Sequence, residues 1–399
     1  MRPDALGGIR ILELGRVPPA EIPGMMLSDM GADVVKIETP AREQHLAPDQ
    51  RRDAAFSYTN RNKRSIVLDM KSERGAELFR QLAAGADVII EGFRPGVMAR
   101  LGAGYEAVRE FNPRIVYCSI SGFGQDGPYR MQPAHDLNFL ALSGALGIIG
   151  QEGDAPSIPL NLVADNGGAA LHATLGIMLA LFARERSGHG QYVDVSYLDA
   201  TIALLAATPN LRRYFSSGAA PTRGAGVFSG AYPYYSIYDT RDEKQLTVAC
   251  SEPWLWEKFC RAIGRPDFVR YGRQTEHYGR APNEEEAAVR LQVAEIMRQR
   301  DRDDWSEMLI LADACVGKVY SIDEMVLDQQ VLHRRMVVDL PHPEWGPVRQ
   351  FGSPIKFSEN RAEPRTAAPA PGEHTDEVLR QLGLTQTQIN QLRERAIVA

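Results

Sequence analysis

The chain has 399 residues, of which 44% are hydrophobic and 24% charged, with a formal net charge of −6 and a pI of about 5.8. This composition is ordinary for a globular protein, and the length leaves room for two or three domains. The acidic balance argues against a general nucleic-acid binder, which normally carries a basic field, so we expect no nucleic-acid partner.

The first part of the chain alternates short apolar runs with helical patterns, which predicts βαβ units and a parallel sheet. We therefore expect a doubly wound, Rossmann-like α/β domain. No GxGxxG or GxxxxGK[ST] motif accompanies it, so a nucleotide cofactor is not expected. The predicted strands are Ile9 to Leu14, Asp33 to Ile37, Ser65 to Leu68, Asp87 to Glu91 and Ile115 to Ile120, and the predicted helices are Pro23 to Met30, Glu73 to Ala84 and Tyr105 to Phe111.

A glycine-rich stretch after Gly122 precedes a predicted helix from Asp136 toward Leu146. The apolar, Ala-rich run Ala169 to Arg184 predicts a strong helix, because basic residues and then Ser187-Gly188 close it. A strand at Gln191 to Val195 and a helix at Ala200 to Ala207 follow.

Small residues and glycines at Ser216 to Gly230 predict a linker. A second α/β segment follows, and the chain ends in two further helices. The predicted strands are Tyr234 to Tyr238 and Gln245 to Ala249, and the predicted helices are Trp254 to Ile263, Glu284 to Arg298, Asp303 to Ala312, Thr375 to Leu382 and Thr387 to Ala396.

The four cysteines are far apart and none lies at zinc-ligand spacing, so we expect reduced thiols and no metal site. The amino terminus has no apolar run behind a basic start. The most apolar stretch, Leu171 to Phe182, is too short to span a bilayer. We expect a cytoplasmic protein with no membrane partner.

Three places carry side chains that could do chemistry: His135-Asp136 before a helix, Asp165 in a glycine-rich turn, and Glu252 at a strand end. Asp165 could cap a helix, because Asp is among the best capping residues, or it could serve as a base or nucleophile. Histidine is suited to acid–base work near neutral pH, although a lone histidine such as His135 is more often structural. Glu252 could be a plain capping residue.

Longer runs resemble the class III (CaiB/BaiF-type) CoA-transferase superfamily, and most of all its α-methylacyl-CoA racemases. PAHDLNFLALSGALGIIG is similar to the catalytic-histidine segment of these racemases, and PLNLVADNGGAALHATLG to their catalytic-aspartate segment. NRNKRSIVLDMKSERGAEL, DVIIEGFRPGVMARLG and SISGFGQDGP resemble segments shared by the whole superfamily. The likeness extends from about Gly7 to Phe357.

Carried over by position, the resemblance implies a racemase of 2-methyl-branched acyl-CoA thioesters. His135 and Asp165 would be the two bases, and Glu252 would orient His135. Asp136 would support the site, and Tyr235 would lie near Asp165. A base on each face of the α-carbon is what inversion of that centre requires.

CoA enters as part of the substrate, with no separate cofactor. Its phosphates need cationic partners, and Lys63, Arg64 and Arg94 are the candidates. For each of them a surface charge or a structural ion pair is an equally good interpretation.

The resemblance also implies the domain plan. A large CoA-binding α/β domain would span residues 1–215, a linker and small α/β domain 216–325, and residues 326–399 would return to the large domain. Two chains would interlock as a homodimer, with Glu252 and Tyr235 reaching the site across the interface.

The competing hypothesis is a CoA-transferase, in which Asp165 attacks an acyl-CoA and carries CoA as an aspartyl thioester. Arg16 in the opening GRVPPAEIPG and the glycine-rich loop Gly218 to Gly230 look more like transferases. Racemases usually have an aromatic residue after the aspartate, whereas this chain has Asn166, which implies a different packing beside the reacting carbon. A histidine at position 135 favours the racemase, because transferases usually have a non-basic residue there.

Overall fold

The computed structural model describes residues 4–15, 18–40, 48–206, 208–278 and 280–399. The chain divides into two compact units, which we call the large unit and the small unit. The large unit comprises Met1–Phe139, Asn161–Thr201 and Val326–Ala399, and the small unit comprises Leu140–Leu160 and Ile202–Met325. The sequence-based plan had placed residues 140–160 and 202–215 in the large domain.

A six-stranded parallel sheet forms the centre of the large unit, in the order β3-β2-β1-β4-β5-β6. This order, with β1 at the point where the winding reverses, confirms the predicted doubly wound α/β fold. The strands are β1 (Arg10–Leu14), β2 (Asp33–Glu38), β3 (Arg64–Val67), β4 (Val88–Glu91), β5 (Val116–Ser121) and β6 (Tyr192–Ser196).

The central strands are mainly apolar and buried along their length rather than regularly alternating, because helices cover both faces of the sheet. All residues of β4 and β5 are buried. The described helices that flank or follow these strands are α1 (Pro18–Asp29), α2 (Pro48–Ala55), α3 (Glu73–Ala84), α4 (Val97–Arg100), α5 (Tyr105–Phe111), α6 (Asp136–Leu142) and α7 (Ala145–Ile148).

The predicted helix at Ala169 to Arg184 is longer in the structure. A π-helical stretch, Leu162–Ala170, runs directly into α8 (Leu171–Ser187), which Gly188 closes with φ 76°. Length and composition alone would let Leu162–Ser187 cross a membrane, and 39% of its most apolar window is buried inside the protein. One side of α8, which carries Ala173, Ile177 and Ala180, is buried inside the protein.

The remaining described helices are α9 (Tyr197–Leu205), α10 (Pro209–Ser217), α11 (Pro253–Ala262), α12 (Glu284–Met297), α13 (Arg302–Leu311), α14 (Ile322–Met325), α15 (Gln329–His333), α16 (Thr375–Gln381) and α17 (Gln386–Glu394). In the small unit, β7 (Tyr235–Asp239), β8 (Gln245–Ala249) and β9 (Val316–Lys318) form an antiparallel sheet. The buried rings of Trp256, Phe259 and Trp305 contribute to its core. The hairpin of β10 (Val337–His342) and β11 (Gly346–Phe351) belongs to the large unit.

Candidate active site

A cavity of about 470 Å³ lies in the large unit at the carboxyl ends of β4, β5 and β6. The loop Gly92–Pro95 follows β4, Ser121 ends β5 and Tyr197 follows β6, and all of them line this cavity. Open parallel sheets bind ligands in such a position. The cavity brings together His135, Asp165 and Arg94, three residues that the sequence analysis selected as site residues. We call it the catalytic cavity.

Asp165 lies on the π-helical stretch rather than in an ordinary helix. A side chain at Gly167 or Gly168 would come within 3.0 Å of a backbone oxygen, so the tight local packing favours glycine there. π-Helical turns widen the helix locally and often occur at functional sites. The glycines after Asp165 therefore have a packing role that helps to place its carboxyl group.

Asp136 holds this segment in place. Its Oδ1 accepts hydrogen bonds from the backbone N–H of Ala164, at 3.1 Å, and of Asp165, at 2.9 Å. Asp136 is 8% exposed, so these bonds form in a shielded environment. The side chain that caps this segment is thus Asp136, and the carboxyl group of Asp165 is left for other contacts.

The carboxyl group of Asp165 has a pKa raised to about 6. Burial is the main cause, and the negative charge of Asp136 adds to it, while a hydrogen bond with Asn161 and the nearby His135 lower the pKa. A carboxyl with a pKa near the working pH can both accept and return a proton.

His135 lies just before α6, where its backbone N–H donates to Asn138 Oδ1 at 3.0 Å. Its side chain is exposed and lines the catalytic cavity. Among the residues that the structure describes, no hydrogen bond to the imidazole is recorded. The ring is therefore available to a substrate and to an orienting carboxylate.

Two residues of the catalytic cavity are not among the site residues predicted from the sequence. Asn161 forms a side-chain hydrogen bond with Asp165 and lines the cavity, and the Asn-x-x-x-Asp spacing of a helix could have indicated it. Tyr197 stacks on Phe139, with ring centroids 5.0 Å apart, and Asp165 is close enough to raise the pKa of its hydroxyl further above the ordinary range, beyond the effect of burial. No local signal pointed to Tyr197.

Glu252 and Tyr235 belong to the small unit. Glu252 occupies the capping position of α11, but its side chain makes no capping hydrogen bond. Tyr235 begins β7, and its ring packs edge-on against Phe228 at 5.2 Å. Their predicted approach to His135 and Asp165 stays a prediction. Arg16 lies outside the described residues.

Arg94 is exposed, and no ion pair of its guanidinium is recorded in the described part of the chain. It is therefore free to bind a phosphate. We expect Arg94→Gln to raise KM for a CoA thioester about tenfold, about 1.4 kcal/mol, and to leave kcat within about twofold. Arg74→Gln, which changes a surface residue paired with Glu77, is the control and should leave KM unchanged.

Lys63 forms a buried ion pair inside the protein and does not face a site where it could bind a CoA phosphate. Its side chain is fully buried, and Nζ donates to Glu13 at 2.6 and 2.8 Å and to the backbone oxygen of Glu21 at 2.9 Å. No donor is left for a ligand. Of the two interpretations offered for Lys63, the ion pair is the one that describes it.

We expect Lys63→Met to destabilise the protein by about 3 to 5 kcal/mol, because it leaves Glu13 buried without its cation. Burial already raises the pKa of Glu13 to about 7 in the paired state. The loss should therefore be larger at about pH 8 than at about pH 6, where the unpaired carboxyl can take up a proton. Urea unfolding at the two pH values measures it, and equal losses would contradict the burial argument.

Arg64 also has internal partners. Its guanidinium binds Asp33 through two hydrogen bonds of 2.7 and 3.0 Å and contacts Glu377 and Gln381. Arg64 therefore ties β3 to β2 and α16, and of the three predicted cations only Arg94 lines the catalytic cavity.

Sequence and structure comparisons agree with this architecture. The family model for CoA-transferase family III matches residues 6–375. The chain is 33% identical to α-methylacyl-CoA racemase of Mus musculus over 98% of this chain and 97% of the mouse protein. It is also 33% identical to succinate–glutarate CoA-transferase of Agrobacterium fabrum, over 96% of each. A CaiB/BaiF family protein from Brucella suis superimposes with a TM-score of 0.81 at 27% identity, over 96% of this chain and 100% of that one. The chain therefore belongs to CoA-transferase family III, a group of CoA-transferases and acyl-CoA racemases.

Proposed function

We propose that this chain interconverts the enantiomers of 2-methyl-branched acyl-CoA thioesters by two-base transfer of the α-proton. The observation that carries the proposal is the presence of His135 and Asp165 in one cavity, close enough for the imidazole to affect the pKa of the carboxyl group. Inversion needs a proton acceptor on one face of the α-carbon and a donor on the other.

The raised pKa of Asp165, about 6, lets its carboxyl group hold or accept a proton near neutral pH. A proton can therefore leave the α-carbon to one group while the other delivers its own, and the roles exchange in the reverse direction. A carboxyl with an ordinary pKa would be almost fully ionised near neutral pH, so it would rarely hold the proton to be delivered, and it would also be a weaker base.

We further propose that Glu252 fixes the imidazole of His135 and stabilises its charged form, as carboxylates do beside other acid–base histidines. The side chain of Glu252 makes no hydrogen bond to the start of α11, so its carboxylate is available for this role. In the proposed homodimer this carboxylate comes from the partner's Glu252, and the partner's Tyr235 lies near Asp165. The proposed reaction uses no metal or nucleotide, and the proposed location is the cytoplasm.

A stripe of exposed apolar side chains on α8 supports the dimer. Leu171, Leu175, Leu179 and Phe182 follow one face of the helix and are 47 to 60% exposed. A contiguous apolar face of this kind is typical of an association surface.

CoA transfer is the second candidate, because transferases are among the relatives at similar identity. In it, Asp165 would form a mixed anhydride and then an aspartyl-CoA thioester. A paired assay separates the two candidates: one enantiomer of a 2-methylacyl-CoA is supplied with and without a free carboxylic acid. The racemase interconverts enantiomers without the acid. CoA passage to the acid, with an Asp165 thioester trapped by hydroxylamine, would overturn the proposal.

A further inference from the structure

A second cavity, of about 430 Å³, borders the loop after β4, and Arg94 lines both this cavity and the catalytic one. We call it the tyrosine cavity. Its volume is in the range of small-molecule sites, and of its lining residues only Arg94 has a role assigned above. The side chains that define it are those of Glu91, Arg94, Tyr105, Tyr117, Gln125 and Tyr192.

Three tyrosine rings form the apolar part of its lining. Tyr117 and Tyr192 stack with centroids 5.8 Å apart, and Tyr105 lies 5.3 Å from Tyr192. The hydroxyl of Tyr117 donates to Ala103 O at 2.9 Å, and that of Tyr192 donates to Ser119 Oγ at 2.8 Å. Because these hydroxyls already have partners, the rings offer the cavity mainly aromatic surface.

Glu91 supplies a shielded acceptor. The residue is 5% exposed, and its Oε2 accepts from the backbone N–H of Phe93 at 2.8 Å. Burial raises the pKa of this carboxyl to about 7, even though hydrogen bonds with the Ser119 side chain and the Phe93 backbone lower it. A positive group in the cavity would stabilise the ionised carboxylate.

Gln125 supplies the opposite polarity. Its side-chain Nε2 is buried and has no hydrogen-bond partner in the described part of the chain. The backbone N–H of the same residue donates to Asp194 Oδ2 at 3.0 Å, which anchors the loop. Buried donors are nearly always paired in folded proteins, so this amide calls for an acceptor, and the exposed guanidinium of Arg94 can bind the same anionic group.

The charged groups of the tyrosine cavity distinguish between a cationic, an anionic and a zwitterionic ligand. A plain cation would leave Gln125 unpaired and meet Arg94, and a plain anion would meet the carboxylates of Glu91 and Glu106. A ligand that carries both charges satisfies each group, and the tyrosine rings accept an apolar or aromatic body.

We propose that the tyrosine cavity binds a small zwitterion, an α-amino acid with an aromatic or apolar side chain. Its ammonium group lies at Glu91, and its carboxylate lies at Gln125 and Arg94. This site shares Arg94 with the proposed CoA-phosphate contact but contains neither His135 nor Asp165, and it does not depend on which reaction the catalytic cavity performs.

Isothermal titration of the full-length protein at about pH 8, where Glu91 is mostly ionised, tests the site with three matched probes. L-Phenylalanine carries both charges, phenethylamine only the positive one and 3-phenylpropionate only the negative one. We expect L-phenylalanine to bind at least about tenfold more tightly than either of the other two. Equal affinity of the three probes, or no binding of L-phenylalanine at millimolar concentration, would overturn the proposal.

Variants locate the binding. Glu91→Gln and Gln125→Leu should each weaken L-phenylalanine binding at least about tenfold. Gln125→Leu breaks no hydrogen bond of the side-chain Nε2 within the described part of the protein, so we expect it to leave the fold intact. Glu110→Gln, at an exposed position of α5 outside the tyrosine cavity, should change L-phenylalanine binding less than about threefold. His135→Ala should bind L-phenylalanine as the parent does. Binding that survives both Glu91→Gln and Gln125→Leu, or that is lost in His135→Ala, contradicts this location. Racemase and transferase assays are separate readouts, so failure here leaves the proposed function standing.

Discussion

Replacing His135 by alanine should slow the interconversion of 2-methylacyl-CoA enantiomers by roughly 100- to 10,000-fold, the range of a lost general acid–base group. The loss should be the same starting from either enantiomer, because inversion needs both groups in each direction. Chiral chromatography of the hydrolysed product measures it. Exchange of the α-proton of the one enantiomer that Asp165 deprotonates should survive better than inversion.

His189→Ala is the matched control, since His189 is an exposed histidine in the large unit and outside the catalytic cavity. It should keep full activity. A transferase that uses Asp165 as a nucleophile has no need of a proton relay at position 135. Rapid inversion by His135→Ala would therefore remove the imidazole from the mechanism and leave the carboxyl as the reacting group.

Replacing Asp165 by asparagine should abolish inversion to a similar extent and abolish any CoA transfer as well, because both reactions use the carboxylate. The same change should stabilise the fold above about pH 6. Burial and Asp136 raise the pKa of Asp165 from 3.8 to about 6, so the folded state favours the protonated form. The protonated carboxyl of Asp165 stabilises the folded state at low pH, and this contribution is lost as pH rises through 6. Above that pH the buried ionised carboxylate destabilises the fold, and asparagine removes this cost.

Thermal unfolding at about pH 8 and about pH 5 measures this difference. We expect the variant to melt higher than the parent at the upper pH, with the gap narrowing at the lower one. A variant that melts lower at the upper pH would mean that attractive contacts hold the carboxylate ionised. The raised pKa would then be no basis for its role as an acid.

Much of the large unit follows from local sequence. The strands β1, β2, β4 and β5 are mainly apolar, with single polar residues such as Glu13 and Lys36, and are bounded by turn residues, which is the pattern of strands covered on both faces. The hairpin of β10 and β11 was missed because Pro341 and Pro347 face each other across it, and proline weakens a strand prediction. β9 has only three residues, too few to show a period.

The site was harder to predict because its determinants are distant in the chain. Asp165 had the sequence signature of a capping residue, yet the side chain that caps its segment is Asp136, 29 residues upstream. Lys63 and Arg64 are neighbours with different surroundings, since alternate residues of a strand point to opposite faces. Their partners Glu13 and Asp33 are brought close only by the parallel sheet, so local spacing could not separate a structural cation from a ligand-binding one.

The most direct test of two-base chemistry follows solvent deuterium during the first part of the reaction. Each enantiomer of a 2-methylacyl-CoA is incubated with the protein in deuterated water, and both recovered substrate and inverted product are analysed by mass spectrometry. Two bases on opposite faces predict deuterium in the product from the outset and little in the unreacted substrate, in both directions. Unchanged enantiomers free of deuterium, together with CoA passing to an added carboxylic acid, would contradict proton transfer between His135 and Asp165.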